Sequence, residues 1–286
     1  MEIGIGLPST VPGVEGHQVI EWARRAESAG FSTLGTIDRI VYPNYEPLVT
    51  LGAAAAVTER IRLTTAIAIL PYRVNAGLVA KQAATIHHLS GGRLVFGTAI
   101  GARGDDYEGT GVSAERLGER FEAMLREIKE VWAGAKRGFA GAIGPPVDAN
   151  PPSLIIGGSV DAAFRRAAEL GDGWMAGGAP PELYAAAREK LESAFREAGR
   201  QDTPRAMALN YFALGDDPEG DTRRSVWDYY SFAGDYADVA AAGTAKGEDE
   251  VRERVRAFEQ AGCDELVLFP ASSNPKQVDL LASAVL

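Results

Sequence analysis

Short apolar runs alternate along the chain with longer segments in which apolar residues recur at helical spacing. Runs rich in Ile, Leu and Val predict strands, and the longer segments predict helices. This alternation is typical of βα units around a parallel sheet. The predicted strands lie near residues 3–8, 33–38, 62–69, 94–100, 153–158, 173–178, 205–214 and 265–270. The predicted helices lie near residues 17–29, 47–57, 77–89, 117–133, 160–170, 180–199, 222–240 and 275–284, with a further helix near 247–261.

The joints between helices and strands indicate which end of the sheet carries function. Gly30, Gly171 and Gly262 stand where helices should end, because glycine adopts the left-handed C-cap conformation at little cost. Those joints are short. The segments after the strands are longer and more polar, above all residues 101–116. We therefore expect an α/β fold, a (β/α)8 TIM barrel, with its site at the carboxyl ends of the strands.

The same units could form two other arrangements. An open doubly wound sheet is disfavoured, because no Gly-x-Gly-x-x-Gly turn follows the first predicted strand. The Gly- and Pro-rich stretch 134–152 could be a domain linker. Only four βα units lie on either side of it, which favours one barrel domain over residues 1–286 with an irregular insertion near 134–152.

Composition and charge narrow the classes of molecule that the protein could bind. With 46% hydrophobic and 24% charged residues, the chain is typical of a soluble globular protein. A net charge of -10 disfavours nucleic acid and anionic membranes, so a small-molecule substrate fits better. The single cysteine, Cys263, resembles a packed residue, and no secretory signal or membrane span is apparent. We expect a cytoplasmic protein, and no metal site is expected.

Glycines and one arginine suggest an anion site at the strand ends. Gly157, Gly158 and Ser159 precede a predicted helix, whose N-terminus would attract an anion. The next strand ends in a second glycine pair, Gly177 and Gly178. The glycines could instead simply relieve crowding at the barrel rim.

Arg103 follows the fourth predicted strand and could hold phosphate through its paired N–H donors. The alternative is that Arg103 pairs only with Asp105 or Asp106.

Six sequence blocks resemble the bacterial-luciferase-like family of flavin- and coenzyme F-420-dependent oxidoreductases. They occur in the same order and run to about residue 178. The longest is AKQAATIHHLSGGRL at residues 80–94. The others are ESAGF at 27–31, TERIRL at 58–63, DYE at 106–108 with GV at 111–112, IIGGS at 155–159 and GDGW at 171–174.

The resemblance implies a (β/α)8 barrel, usually a homodimer, that binds reduced FMN or coenzyme F-420 at the strand ends. A separate flavin reductase would be a partner. The family's phosphate-binding positions match Arg103, Gly158 and Ser159 here. Its non-proline cis peptide, which lies behind the flavin ring, maps onto Ala66 and Ile67.

The chain departs from the family where acid–base residues are expected. Luciferases have histidine after the second strand and many deazaflavin enzymes have Asp-His, whereas this chain has Asp38 and Arg39. A glutamate used by deazaflavin sugar-phosphate dehydrogenases corresponds to Ala102. Asp38 and Arg39 are the catalytic candidates, and we expect the arginine to lower the pKa of the carboxylate so that it orients substrate.

The remaining candidates are aromatic loop residues and histidines. Tyr42, Tyr72 and Tyr107 would form a substrate wall. The tetrad WDYY at residues 227–230 would form a lid or anchor a helix. The three histidines are expected in packing or surface roles, and they lie at residues 17, 87 and 88.

These observations leave several functions open. The first is a flavin-dependent monooxygenase that uses reduced FMN and oxygen on a small organic substrate. A coenzyme F-420-dependent dehydrogenase or reductase is the alternative on the same fold. A non-catalytic flavin-binding barrel is a third, and a phosphate-sugar isomerase or lyase is a fourth, although no Lys or Glu base stands out at a strand end.

Overall fold

A computed structural model describes residues 1–139 and 141–286, and within these ranges eight parallel strands close into a barrel. The barrel strands are β1 (Glu2–Gly6), β2 (Thr33–Thr36), β3 (Arg62–Thr65) with its continuation β4 (Ala68–Ile69), β5 (Leu94–Ala99), β6 (Ser153–Gly157), β7 (Gly173–Gly177), β8 (Arg205–Ala213) and β10 (Glu265–Pro270). A short additional strand, β9 (Ala245–Lys246), pairs with the end of β8. Pairing of β10 with both β1 and β8 closes the sheet. The predicted TIM barrel is confirmed.

Helices surround the barrel. They are α1 (Gly16–Ala29), α2 (Pro47–Ala55), α3 (Ala76–Leu89), α4 (Gly104–Thr110), α5 (Leu117–Trp132), α6 (Asp161–Leu170), α7 (Pro181–Glu197), α8 (Pro218–Thr222), α9 (Asp228–Tyr230), α10 (Tyr236–Ala242), α11 (Gly247–Gln260) and α12 (Lys276–Val285). Among the described residues, no helix combines the length and the apolar composition that a membrane crossing needs.

Alternation along each strand divides the apolar residues into two cores. On β8, Met207, Leu209 and Tyr211 belong to the barrel interior, whereas Ala206 and Ala208 pack towards the helices. The interior also holds the large rings and branched side chains of neighbouring strands. Because the interior is filled with side chains, the barrel is a packed support for its loops and not a pore.

Charged side chains cover the amino-terminal end of the barrel. The Glu265 carboxylate is fully buried and accepts from Arg62 at 3.1 Å and from Arg205 at 2.6 Å. Both guanidinium groups also contact Glu2. The cluster joins β1, β3, β8 and β10, so it holds together strands that are far apart in sequence.

Two regions differ from the pattern expected from sequence. The helix predicted over 222–240 is broken into α8, a π-helical turn at Arg223–Trp227, α9, a 3-10 turn at Ser231–Ala233 and α10. The break arises because Tyr229 and Tyr230 pack against the barrel interior, while Gly234 adopts a φ of 58°. Helix α4 was not anticipated either. In the segment 134–152, Lys136 and Ala142 form an isolated antiparallel bridge.

Candidate functional site

A cavity of about 560 Å³ lies at the carboxyl ends of the strands. Its walls differ in character. One wall is built from small or aliphatic residues of β4, β5 and β7 and their loops, and the other is aromatic. The small wall comprises Ala66, Ile67, Ala99, Gly101, Ala102, Ala176 and Gly177, and the aromatic wall comprises Tyr211, Tyr229, Tyr230, Phe232 and Tyr236. A larger groove of about 960 Å³ lies outside the barrel between α6 and α7, away from the strand ends.

The peptide bond between Ala66 and Ile67 is cis, as the family resemblance predicts. Both residues line the cavity. The wall depends on Gly157 of β6, where a Cβ atom would lie 2.1 Å from Ile67 Cδ1. Gly157 therefore leaves room for the Ile67 side chain, which is the crowding role considered for these glycines.

The other glycines of the predicted anion site are placed differently. Gly158 has a φ of 129°, a conformation that favours glycine, and Ser159 directly after it lines the cavity. Gly177 also lines the cavity, and a Cβ there would meet nothing within 4 Å. Gly178 has a φ of 65° and donates its N–H to the Leu209 carbonyl at 3.1 Å. Ser159 and Gly177 thus border the cavity, whereas Gly158 and Gly178 shape the turns beside it.

Arg103 lies in the cavity wall but does not pair with Asp105 or Asp106. Its Nη2 donates to the Tyr229 carbonyl at 2.9 Å. The guanidinium carbon lies 3.6 Å from the ring centroid of Phe232 and 4.2 Å from that of Tyr229. Its Nη1 is buried and has no hydrogen-bond partner within the described chain. Arg103 therefore has one N–H group, at Nη1, that is available to donate a hydrogen bond to a ligand.

Arg39, and not Arg103, forms the ion pair with Asp105. Its Nη2 donates to Asp105 at 2.5 Å, and its Nη1 donates to the Tyr229 carbonyl at 3.3 Å. Arg39 is buried but is not among the cavity-lining residues. Its contacts link the loop after β2 to α4 and to α9. This placement supports a positioning role for Arg39 over direct contact with a ligand.

Asp38 pairs with Arg73 and not with its neighbour Arg39. Its Oδ2 accepts from Arg73 Nη2 at 2.9 Å and from the Ile69 N–H at 2.8 Å. Burial raises the pKa of Asp38 above its ordinary value, and the Arg73 guanidinium only opposes that shift. The expectation that Arg39 lowers this pKa is wrong, because the side chain is fully buried and its cation is Arg73. Asp38 lines the cavity.

The three tyrosines expected in a substrate wall separate into two groups. Tyr72 and Tyr107 line the cavity. Tyr107 donates to the Ile100 carbonyl at 2.5 Å, and burial raises its pKa to about 12. Tyr42 is not a lining residue. Its hydroxyl contacts the Thr10 carbonyl and Asp228, so it ties the loop after β2 to the segment 228–236.

The segment 228–236 supplies cavity-lining residues that sequence reasoning did not assign to the cavity. We call residues 228–236 the cap. Four of its aromatic side chains line the cavity, and they are Tyr229, Tyr230, Phe232 and Tyr236. The WDYY tetrad was the signal available in the sequence, and it did not indicate which rings face the cavity.

The remaining ionisable candidates lie away from the cavity. His17 is exposed beside Glu15, and His87 packs on α3 near Asn150. Cys263 is buried, and burial raises the pKa of its thiol to about 12, so it stays protonated at neutral pH. These positions are consistent with packing or surface roles.

Comparison with known proteins identifies the family. The model of the luciferase-like monooxygenase family matches residues 1–278. The chain belongs to that family. Family members are oxidoreductases, so the cavity at the strand ends lies where an enzyme of this family would hold its reactants.

Individual relatives agree with this membership. An uncharacterized protein of Mycobacterium tuberculosis strain H37Rv is 31% identical over 210 residues, which is 63% of this chain and 72% of the relative. Another from the same strain is 32% identical over 175 residues, covering 58% of this chain and 61% of the relative.

Solved structures share the fold at lower identity. A monooxygenase from Streptomyces bottropensis has a TM-score of 0.81 at 22% identity, covering 99% of this chain and 98% of that chain. A coenzyme F-420-dependent secondary alcohol dehydrogenase has a TM-score of 0.82 at 18% identity, covering 100% of this chain and 98% of the other. The FMN complex of a Baeyer–Villiger monooxygenase component from Pseudomonas putida has a TM-score of 0.77 at 16% identity, covering 99% and 96%.

Proposed function

We propose that this protein is a flavin-dependent monooxygenase that uses reduced FMN and oxygen on a small organic substrate. The observation that carries the proposal is the two-walled cavity with Arg103 at its edge. Its smooth wall of small residues suits one face of a flat ring. The donor chemistry of Arg103 suits a phosphate.

The residues present fit a phosphorylated flavin in two respects. Arg103 Nη1 is a buried donor without a partner in the described chain, which costs about 1–3 kcal/mol unless a ligand supplies an acceptor. Ser159 and Gly177 line the same cavity, and Ser159 lies two residues before α6, whose N-terminal N–H groups favour an anion. We propose that Arg103, Ser159 and Gly177 would hold the phosphate, with Gly158 setting the turn.

The protein's own residues would bind, orient and exclude water. A bound reduced flavin supplies the electrons and the reactive atom, so a protein nucleophile is not required. Ala66 and Ile67 would support one face of the ring, and the cap would enclose the space beyond the other face. Asp38, whose carboxylate also accepts the Ile69 N–H, would position a polar group of the substrate, with Arg73 fixing its carboxylate.

Tyrosine hydroxyls in the aromatic wall would form hydrogen bonds without acting as bases. Burial raises the pKa of Tyr229 and of Tyr230 above the ordinary value. Both hydroxyls therefore stay protonated at neutral pH and can donate hydrogen bonds but cannot act as bases. Water exclusion by the cap would protect a reduced flavin from unproductive reactions.

Coenzyme F-420 is the competing cofactor. The alcohol dehydrogenase with a similar fold is described as binding it, whereas the Baeyer–Villiger component is described as a complex with FMN. Arg103 tips the choice towards FMN, because its position matches the arginine that luciferase-like relatives use for phosphate. A homodimer and a separate flavin reductase stay predictions of the family resemblance.

Equilibrium titration with FMN and with coenzyme F-420, followed by oxygen consumption, tests the proposal. We expect saturable FMN binding at one flavin per chain and oxygen uptake that depends on reduced FMN and substrate. Tight F-420 binding without FMN binding would replace the monooxygenase with a hydride-transferring enzyme. Flavin binding with no turnover across a broad substrate panel would support a non-catalytic flavoprotein. Binding of neither cofactor would reject a flavin function.

A further inference from the structure

Two large aromatic side chains at the cavity are exposed to solvent. Phe232 is 46% exposed and Tyr236 is 44% exposed, and both line the cavity. They adjoin Tyr229 and Tyr230, which line the same wall. A contiguous exposed apolar surface that borders a cavity marks a binding surface, because covering it with a ligand removes apolar area from water.

The cap rings are held in fixed orientations. Tyr229 and Tyr230 meet edge to face with centroids 5.0 Å apart, and Tyr230 meets Tyr236 edge to face at 5.4 Å. The Tyr230 hydroxyl lies 3.0 Å from the Tyr211 hydroxyl of β8. Arg103 lies against Phe232, with its guanidinium carbon 3.6 Å from the ring centroid. Because the rings are already ordered, a ligand stacking on them loses less conformational entropy on binding.

The charges around the cavity add a second criterion. The carboxylate of Asp38 is paired with Arg73, and Asp106 accepts the backbone N–H of Val41 at 2.7 Å. Arg103 forms no ion pair with a carboxylate within the described residues. Arg103 would be engaged by the flavin phosphate, so a neutral ligand suits the remaining space better than an ion does.

We propose that the cap selects neutral planar aromatic substrates by stacking them against Phe232 and Tyr236. The proposal rests on the proposed flavin function, since the flavin would occupy the small wall and leave the aromatic wall for the substrate. An aliphatic ligand of the same size would fill the volume without the ring contacts. Aromatic pairs are favoured beyond simple area burial, so the cap discriminates by ring character and not by size alone.

Calorimetric titration of the FMN-loaded protein with two matched probes tests the selection. Naphthol is flat and aromatic, whereas its saturated counterpart decalol has the same hydroxyl and a similar carbon skeleton. We expect naphthol to bind about tenfold more tightly than decalol, because two ring contacts are gained. A positively charged naphthylmethylamine should bind more weakly than naphthol. Equal affinity for naphthol and decalol would overturn the proposal.

Three variants assign the preference to the cap. Phe232→Leu and Tyr236→Leu should each reduce the ratio of decalol to naphthol dissociation constants by about threefold or more. Tyr45→Leu is the matched control, because Tyr45 is 46% exposed but does not line this cavity. That control should keep the wild-type ratio. An unchanged ratio in both cap variants, or an equal loss in all three, would contradict selection by the cap.

Repeating the naphthol and decalol titrations on flavin-free protein, beside the FMN and coenzyme F-420 titrations, separates this proposal from the proposed function. If FMN binds but the naphthol preference is absent, aromatic selection fails and the flavin function stands. If neither FMN nor coenzyme F-420 binds, yet naphthol is still preferred and Phe232→Leu removes the preference, the flavin function fails and aromatic selection stands.

Discussion

The Nη2 atom of Arg103 donates to the carbonyl of Tyr229 at 2.9 Å across 126 positions of sequence. This bond joins the loop after β5 to the cap. Arg39 donates to the same carbonyl, so two arginine side chains bind the backbone of the cap at Tyr229. The position of the cap is therefore coupled to the residue that we propose for the cofactor phosphate.

Replacing Arg103 should weaken flavin binding. Arg103→Ala removes the guanidinium donors, and we expect a loss of about 1–3 kcal/mol in FMN binding free energy. Arg103→Lys keeps the charge without the planar fork and should lose less. Fluorescence titration gives both dissociation constants. Wild-type affinity in Arg103→Ala would reject the phosphate role.

The two glycines Gly157 and Gly177 give a matched pair of substitutions. Gly157→Ala puts a Cβ 2.1 Å from Ile67 Cδ1, so the Ile67 side chain must turn and the small wall changes shape. We expect Gly157→Ala to cost about 1–3 kcal/mol of unfolding free energy. Gly177→Ala meets no atom within 4 Å and should keep wild-type stability while weakening FMN binding, if the phosphate passes over it.

Chemical denaturation of both proteins measures the difference. Equal stability of Gly157→Ala and wild type would show that Ile67 accommodates the methyl group without cost. Unchanged FMN affinity in Gly177→Ala would remove Gly177 from the proposed phosphate site.

Asp38→Asn should reduce turnover more than cofactor affinity, because Asp38 is proposed to position substrate. It should also cost about 1–3 kcal/mol of stability, since Arg73 loses a charged partner in a buried site. Glu46 still contacts Arg73 at 2.8 Å and limits that loss. Steady-state kinetics and denaturation separate the two effects. Wild-type kinetics with lowered stability would leave Asp38 a purely structural residue.

Acid stability should depend on Glu265. Burial raises the pKa of Glu265, but the Ser32 hydrogen bond and the charges of Arg62 and Arg205 lower it by more than burial raises it. The pKa therefore lies below the ordinary value. A carboxylate with a lowered folded-state pKa stabilises the protein above its unfolded pKa of about 4.3, and the contribution is lost as the pH falls through the folded value.

The variant Glu265→Gln should therefore be less stable than wild type at pH 7 and lose less stability on acidification. Thermal unfolding between neutral pH and about pH 3 measures this. Parallel pH profiles for the two proteins would assign the acid sensitivity to other groups.

The barrel was predictable because its signals are local and repeated. Strand and helix patterns recur in every βα unit, and glycines such as Gly30 mark the turns between them. The prediction of one continuous helix over 222–240 was wrong, because the periodicity of the sequence does not reveal that Tyr229 and Tyr230 turn towards the barrel. That choice depends on Arg39, Arg103 and Tyr211, which are distant in sequence.

The candidate site was predictable only in part. Ala66, Ile67 and Arg103 line the cavity as expected, and they could be predicted because the family resemblance located them relative to the strand ends. The pairing of Asp38 was not predictable, since Arg39 is adjacent in sequence while Arg73 approaches through the fold. Likewise, sequence placed Tyr42 with Tyr72, although only Tyr72 borders the cavity.

The most direct test of the flavin proposal is a crystal structure of the protein with FMN. We predict one face of the ring against Ala66 and Ile67, space for a substrate between its other face and the cap, and the phosphate within hydrogen-bond distance of Arg103 and Ser159. A flavin bound outside this cavity, or a phosphate that contacts neither residue, would contradict it.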